Sequence, residues 1–286
     1  MSVSETVEWL DGERRWRVAY DQLGQGPPCL CLPAPSTIST RREMRGLAER
    51  LAAARTITCL DWPGFGESDR APVRYRGVHT RFLLAFLARF QEGVDVIAAG
   101  HGASYALEVA RTIPEKLRHL VLLAPTWRGP LPTAMGPHPR VWSALESVVR
   151  APLVGPALYS LNSSRPFVRW MMRRHVYAEP AHITAELLDD RVRTAHRPNA
   201  RFAAAAFVTG EMDLFPTRER FLEAARGCPV PLFVALGSRT PPKSLAEMKA
   251  LAALPAVQSA TLPGSLAFYD EHPSESAAAV AAFLAR

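Results

Sequence analysis

Four stretches of the chain are apolar almost end to end, residues 29–32, 94–99, 120–125 and 231–237, and 56–61 reads as a further strand. Runs this short and this continuous are read as strands buried on both faces, not as the half-exposed strands of an open sheet. Between them the spacing changes. Met44, Leu47 and Leu51 recur at helical intervals within 41–53, and Phe82, Leu83, Phe86 and Leu87 do the same within 80–90. A further helix is expected from about Ala103 to Thr112. Residues 15–20 alternate like an edge strand. Buried strands alternating with amphipathic helices predict an α/β fold, a mostly parallel central sheet covered by helices on both faces. From residue 126 to about 216 only helical segments occur, and strand character returns at Pro231. The division expected is a core of 1–125 and 217–286 with a helical cap of 126–216 inserted into it.

With 286 residues and 48% hydrophobic content, one large core, or a core with a lid, is within reach. The net charge of +7 comes from 31 Arg and 3 Lys against 27 acids. That balance permits anionic partners, but no basic run interleaved with aromatics marks a nucleic-acid surface, and no nucleic-acid partner is expected. Residues 1–17 mix acids and bases without an apolar signal core, and no run of about 18 apolar residues exists to span a membrane. The expectation is a cytoplasmic protein whose four Cys are reduced thiols. Cys29 and Cys31 share a strand face as half of a metal site with no second pair, so neither a metal nor a cofactor is expected.

The run Asp61-Trp62-Pro63-Gly64-Phe65-Gly66-Glu67-Ser68-Asp69 carries the pattern D-x-P-G-x-G-x-S-D. With the strands at 120–125 and 231–237, Leu262-Pro263-Gly264 and Glu271-His272-Pro273, it resembles the α/β-hydrolase superfamily from the first strand to the last helix. That resemblance implies the α/β-hydrolase fold with a helical cap inserted after the sixth strand. The stretch 124–132 and an altered turn at 100–104 are similar, more narrowly, to a serine-less group of hydrolase-like proteins in cyanobacteria.

The resemblance also says where chemistry belongs. The nucleophile elbow, G-x-S-x-G, joins a strand to a helix and exposes its central side chain. Here Gly100-His101-Gly102-Ala103-Ser104 puts Gly102 at the expected nucleophile position, without an atom to attack with. A shifted reading, G-x-S-x-small, offers Ser104, two residues into the helix, where a Ser more often caps the N-terminus. The acid is expected three residues past Gly237, which is Thr240; the alternative acid position, 126–128, holds no carboxylate. The base is expected after Leu-Pro-Gly, where Ala267 stands, and His272 falls five residues later. Pro35 lies near the backbone donor of the oxyanion hole and has no N–H.

What remains is a rim. Trp62, His101, Gly102, Trp127 and Tyr269 are expected to line a pocket between cap and core. The leading expectation is a non-catalytic binder of a small apolar molecule with a degenerate triad of Gly102, Thr240 and Ala267. One alternative is a triad-free or atypical hydrolase or lyase that uses His101 or Ser104, with Asp270 or Glu271 beside His101. Another is a scaffold or peripheral membrane protein. In that case the segment 165–174, where Arg alternates with Phe167, Trp170 and Met171, makes weak contact with an anionic membrane. The blander reading of 165–174 is a lid helix that turns its apolar face to the core and keeps its Arg solvated.

Overall fold

In the computed structural model, which describes residues 3–285, eight strands form one sheet. They are β1 (Val3–Asp11), β2 (Arg14–Leu23), β3 (Pro28–Leu32), β4 (Thr56–Leu60), β5 (Val94–Ala99), β6 (Leu117–Leu123), β7 (Leu232–Gly237) and β8 (Val257–Leu262). Their order is β1-β2-β4-β3-β5-β6-β7-β8. All neighbours from β4 to β8 pair in parallel, and β1–β2 and β2–β4 are antiparallel. The side chains of β5 and β7 are buried along their whole length, as are all but the first of β3 and β4. This fits their largely apolar sequences, since helices cover both faces; Thr58 of β4 and the ion-paired Asp95 of β5 are the buried polar exceptions.

The helices are α1 (Arg45–Leu51), α2 (Val78–Leu87), α3 (Gly102–Thr112), α4 (Pro130–Met135), α5 (Pro139–Arg150), α6 (Val154–Asn162) and α7 (Arg165–Met171). They continue with α8 (Ala185–Ala195), α9 (Ala200–Thr209), α10 (Arg218–Arg226), α11 (Pro242–Ala252), α12 (Phe268–Glu271) and α13 (Pro273–Leu284). Helix α1 packs against α13, while α3 packs between α2 and α10, giving the two layers over the sheet.

Two features of the sheet differ from the pattern reading. The stretch at 15–20 is not an edge: β2 lies between β1 and β4, and the edge is β1, paired from Val3↔Gln22 to Asp11↔Arg14. Gly12, at φ 61, supplies the left-handed residue that a tight hairpin turn requires. At the other edge, β8 is only half buried, so its sequence lacks an apolar run.

Helices α4–α9 form an insertion between β6 and β7. Its last helix, α9, is Ala-rich and buries Phe202, Ala203 and Ala206 in the main core. The Cβ of Ala203 comes so near the bend at Gly64 that a Cβ there would lie 2.8 Å from it. Beneath α7 and α8 sits a second, smaller apolar cluster of Ile38, Val168, Met172, Tyr177, Leu188, Ala195 and Ala267. The chain thus fills its core twice, once around the sheet and once under the insertion.

Candidate functional site

The topology itself points to a location. From β3 the chain goes to β4 on one side, then returns to β5 on the other. In open parallel sheets such a reversal opens a crevice beyond the carboxyl ends of the strands, where ligands bind. Here those ends are Leu32, followed by Pro33-Ala34-Pro35, and Ala99, followed by Gly100.

Gly100 makes the turn. Its N–H continues the sheet to Leu123 O at 2.9 Å, and its carbonyl accepts from Ala103 N at 3.2 Å and Thr126 N at 3.0 Å. Its φ is 53, a left-handed conformation that costs side-chain-bearing residues about 1–2 kcal/mol. His101 is already right-handed helical and Gly102 is the first residue of α3. The sharp turn is therefore at Gly100, two residues before Gly102, and Ala98-Ala99-Gly100-His101-Gly102 takes the place of G-x-S-x-G. The motif count points to Gly102, whereas the left-handed φ falls at Gly100. Both positions are glycine, which carries no side chain.

The space such a side chain needs is occupied. A Cβ built on Gly100 would lie 2.8 Å from the Cβ of Ala34, closer than real side chains approach. Ala34 stands between Pro33 and Pro35, whose rings restrict the backbone, and its N–H donates to Glu43 Oε1 at 3.1 Å. A Cβ on Gly102 would meet Pro33 O at 3.2 Å and the Trp62 indole at 3.3 Å.

Ser104 does not cap α3. It is the third helical residue, buried, and its Oγ donates to Thr126 O at 3.1 Å. Thr240 is buried at the bend after β7, and its Oγ1 has no hydrogen-bond partner among the described residues. Ala267 is buried in the smaller cluster, its N–H bonded to Val176 O at 3.0 Å. The insertion therefore covers the stretch where a base is expected.

The expected rim residues are buried and do not converge on one opening. Trp62 is fully enclosed, donating to Pro33 O at 2.7 Å. Trp127 turns toward α10 and α11, stacked on Phe221 and donating to Glu247 at 3.2 Å. Tyr269 donates to Glu43 Oε1 at 3.0 Å. His101 sits edge-on to Tyr105 and Phe207, with Nε2 3.4 Å from Met212 O and 3.6 Å from Asp213 Oδ1. Burial pushes its pKa down to about 4 and pushes that of Asp213 up to about 7, against the hydrogen bond Asp213 accepts from Gly129 N–H. At neutral pH His101 is an uncharged, enclosed imidazole, and its carboxylate neighbour is Asp213, a residue the sequence reading did not single out.

Asp270 belongs to a different group. It accepts from Tyr177 OH at 2.7 Å and from Arg191 Nη2 at 3.4 Å. Arg191, on α8, also reaches Ile38 O at 3.2 Å, Tyr177 OH at 3.3 Å and Glu43 Oε2 at 3.8 Å. Glu271 accepts from Ala178 N at 3.1 Å and Glu179 N at 2.5 Å. Burial pushes Glu43 up to about 7, with Arg191 opposing the rise and Asp270 adding to it. Burial alone would lower the Arg191 pKa, but Tyr177, Glu43 and Asp270 outweigh it and hold the guanidinium charged. Insertion and core are thus tied by a buried charged network close to the turn, through the Ala34–Glu43 bond.

Two cavities are lined by other residues. One of 170 Å³ lies between the insertion and the core, among Thr40, Arg41, Arg42, Glu67, Asp190, Arg193, Thr194 and Arg197. It is polar, and its cations are already paired: Arg41 and Arg42 with Glu67, Arg193 with Asp190 and Arg197 with Glu67. The other, 620 Å³, is an open groove on α7 and α8 lined by Arg165, Arg169, Trp170, Arg173, Arg174 and Leu188 among others. Among the described residues no His/Cys/Asp/Glu group is placed to hold a metal. Cys29, Cys31 and Cys59 are free and buried side by side, and neighbouring thiols and burial push the Cys31 pKa well up. No described helix is long and apolar enough to cross a membrane.

A family model described as "Alpha/beta hydrolase family" matches residues 32–280. The chain belongs to the alpha/beta hydrolase family. Solved structures agree on the fold across the whole chain. A serine hydrolase involved in carbazole degradation (the CarC enzyme) is 17% identical, with TM-score 0.74 and coverage of 100% of this chain and 99% of that one. A thermophilic esterase from Thermogutta terrifontis is 18% identical, with TM-score 0.73 and coverage of 98% of both. A chain from Nostoc sp PCC 7120 is 19% identical, with TM-score 0.72 and 98% of both covered. Comparison with curated protein sequences finds no match. Against this family, the strained turn and the D-x-P-G-x-G-x-S-D loop are kept. Where the family resemblance leads one to expect nucleophile, acid and base stand Gly102 by the motif count, or Gly100 by the turn, with Thr240 and Ala267.

Proposed function

We propose that this chain is a member of the alpha/beta hydrolase family that binds a small molecule and does not hydrolyse by the Ser-His-Asp route. The observation that carries this is at the turn. Gly100 offers no nucleophile, and the Ala34 methyl stands where one would have to begin. Loss of single triad members leaves family-type machinery crippled by orders of magnitude, and here all three positions lack the required group. Ser104 and His101 do not replace them. Both are enclosed, and each makes its hydrogen bond to a backbone carbonyl. The ligand class inferred is small and apolar, held between insertion and core beside Trp62 and Tyr269, and reached when the insertion moves. Support for that site is the retained crevice topology.

The test is labelling by a fluorophosphonate, which reacts with activated serines. No adduct is expected on the native chain or on Gly100→Ser, since the new hydroxyl lacks both base and space. An adduct on Ser104 of the native chain overturns the non-hydrolytic reading. Native mass spectrometry of protein taken from cell extract then tests binding: a retained small molecule supports it, and a bare chain argues against it.

A further inference from the structure

The helices α5, α6 and α7 turn apolar side chains outward. On α5 the buried residues are Trp142 and Glu146, while Val141, Leu145 and Val148, at i, i+4 and i+7, are exposed. On α6 it is Gly155 that is buried, and Val154, Ala157 and Leu161, at i, i+3 and i+7, face water. Leu153, just before α6, is 87% exposed, Leu161 70% and Trp170 of α7 55%. This reverses the usual amphipathic helix, whose apolar stripe faces the core. Of the exposed large hydrophobic residues described, all but Leu10 fall between Met135 and Trp170. Exposed apolar side chains gathered on three helices that pack in succession mark a contact site.

The charge around it selects the partner. From 128 to 178 the sequence has seven Arg and one acid, Glu146, which is buried. Arg169, Arg173 and Arg174 are exposed, make no ion pair among the described residues, and share the 620 Å³ groove with Trp170. Arg165 in the same groove pairs with Asp189. A second copy of the chain docked face to face would set these cations against each other. An anionic lipid surface complements them, accepting the apolar stripes at the level of the headgroups and Trp170 at the interface.

We propose that the α5–α7 face docks this protein on membranes that carry anionic lipid, with Leu153, Leu161 and Trp170 inserted and Arg169, Arg173 and Arg174 against lipid phosphates. The proposal is independent of whether the interior binds or hydrolyses anything.

Co-sedimentation of the full chain with vesicles tests it. Binding is expected to vesicles of equal parts phosphatidylcholine and phosphatidylglycerol at low salt, to weaken at high salt, and to be absent on phosphatidylcholine alone. Arg169→Glu with Arg173→Glu is expected to weaken it about tenfold or more. Leu161→Ser with Trp170→Ser is expected to weaken it comparably, and Arg226→Glu, remote on α10, to leave it nearly unchanged. All these positions are exposed, and an unchanged melting curve shows that the variants fold. Three results overturn the proposal: no binding at low salt, equal loss with Arg226→Glu, or sedimentation velocity showing a lipid-free dimer that the Leu161/Trp170 variant splits.

Discussion

Asp213 shows how a single enclosed carboxyl sets a pH dependence. It is largely buried beside a neutral His101; it accepts a hydrogen bond from the Gly129 N–H, and the Arg128 and Arg76 charges also favour its ionised form. Burial raises its pKa from 3.8 to about 7. Between those values the native state holds a proton that the unfolded chain has released, so this group's contribution to stability is full below about pH 4 and is lost as pH rises to 7. Asn keeps the carbonyl acceptor and cannot ionise. Asp213→Asn is therefore expected to melt higher than the native chain at pH 8.5, with the difference shrinking steadily toward pH 4. Comparing the two proteins at each pH also removes the opposite trend from His79 and His101, whose pKa values burial lowers to about 3 and about 4. A difference in melting temperature that does not change with pH would mean Asp213 is ionised throughout.

Elements were legible in proportion to how far their environment was uniform. The strands at 29–32, 94–99 and 231–237 are enclosed on both faces, and one apolar run each was enough to place them. The edge strands β1 and β8 carry mixed faces and left no such trace. At α7 the lid-helix reading holds only in part: Val168, and Met172 just past the helix end, face inward, but Phe167 and Trp170 face water. Periodicity shows which residues share a side, not which side meets the core. Two glycines flank His101, and the sequence alone does not say which of them makes the turn; φ distinguishes them. Glu43 and Arg191 were invisible for another reason. Each lies among charged residues typical of a solvated helix, and only the fold brings them 3.8 Å apart inside it. Breaking such a buried pair from one side strands the remaining charge, at a cost of about 3–5 kcal/mol. Arg191→Met is expected to lose about that much in urea unfolding, while Arg169→Met, solvated and unpaired, stays within about 0.5 kcal/mol. Equal small losses for both would show that the network contributes little.

For the whole molecule, the two apolar clusters imply two thresholds of opening. Helix α9 shares the main core with β5 and α3. Helices α7 and α8 rest on the smaller cluster and are tied to the core by the Arg191 network and by the Arg42–Asp190 ion pair. Segments with few buried contacts open locally at lower free energy than the sheet. Native-state hydrogen exchange should therefore show the amides of α7 and α8 exchanging together, through an opening well below global unfolding, while those of α9 and β5 exchange only near it. Arg191→Met should lower the first threshold by more than it lowers the second. That opening is the one the proposed binding site needs, because Ala267 and Tyr177 lie under α7 and α8 and Glu43 holds Ala34 beside Gly100. It also couples the two proposals in space: α7 carries Trp170 and the exposed Arg169 on its outer side and Val168 on its inner side. A lipid surface that draws on the outer side pulls on the element that closes the interior. If α7 and α8 instead exchange only with β5, the insertion and core are one cooperative unit, and the crevice stays shut in the native state.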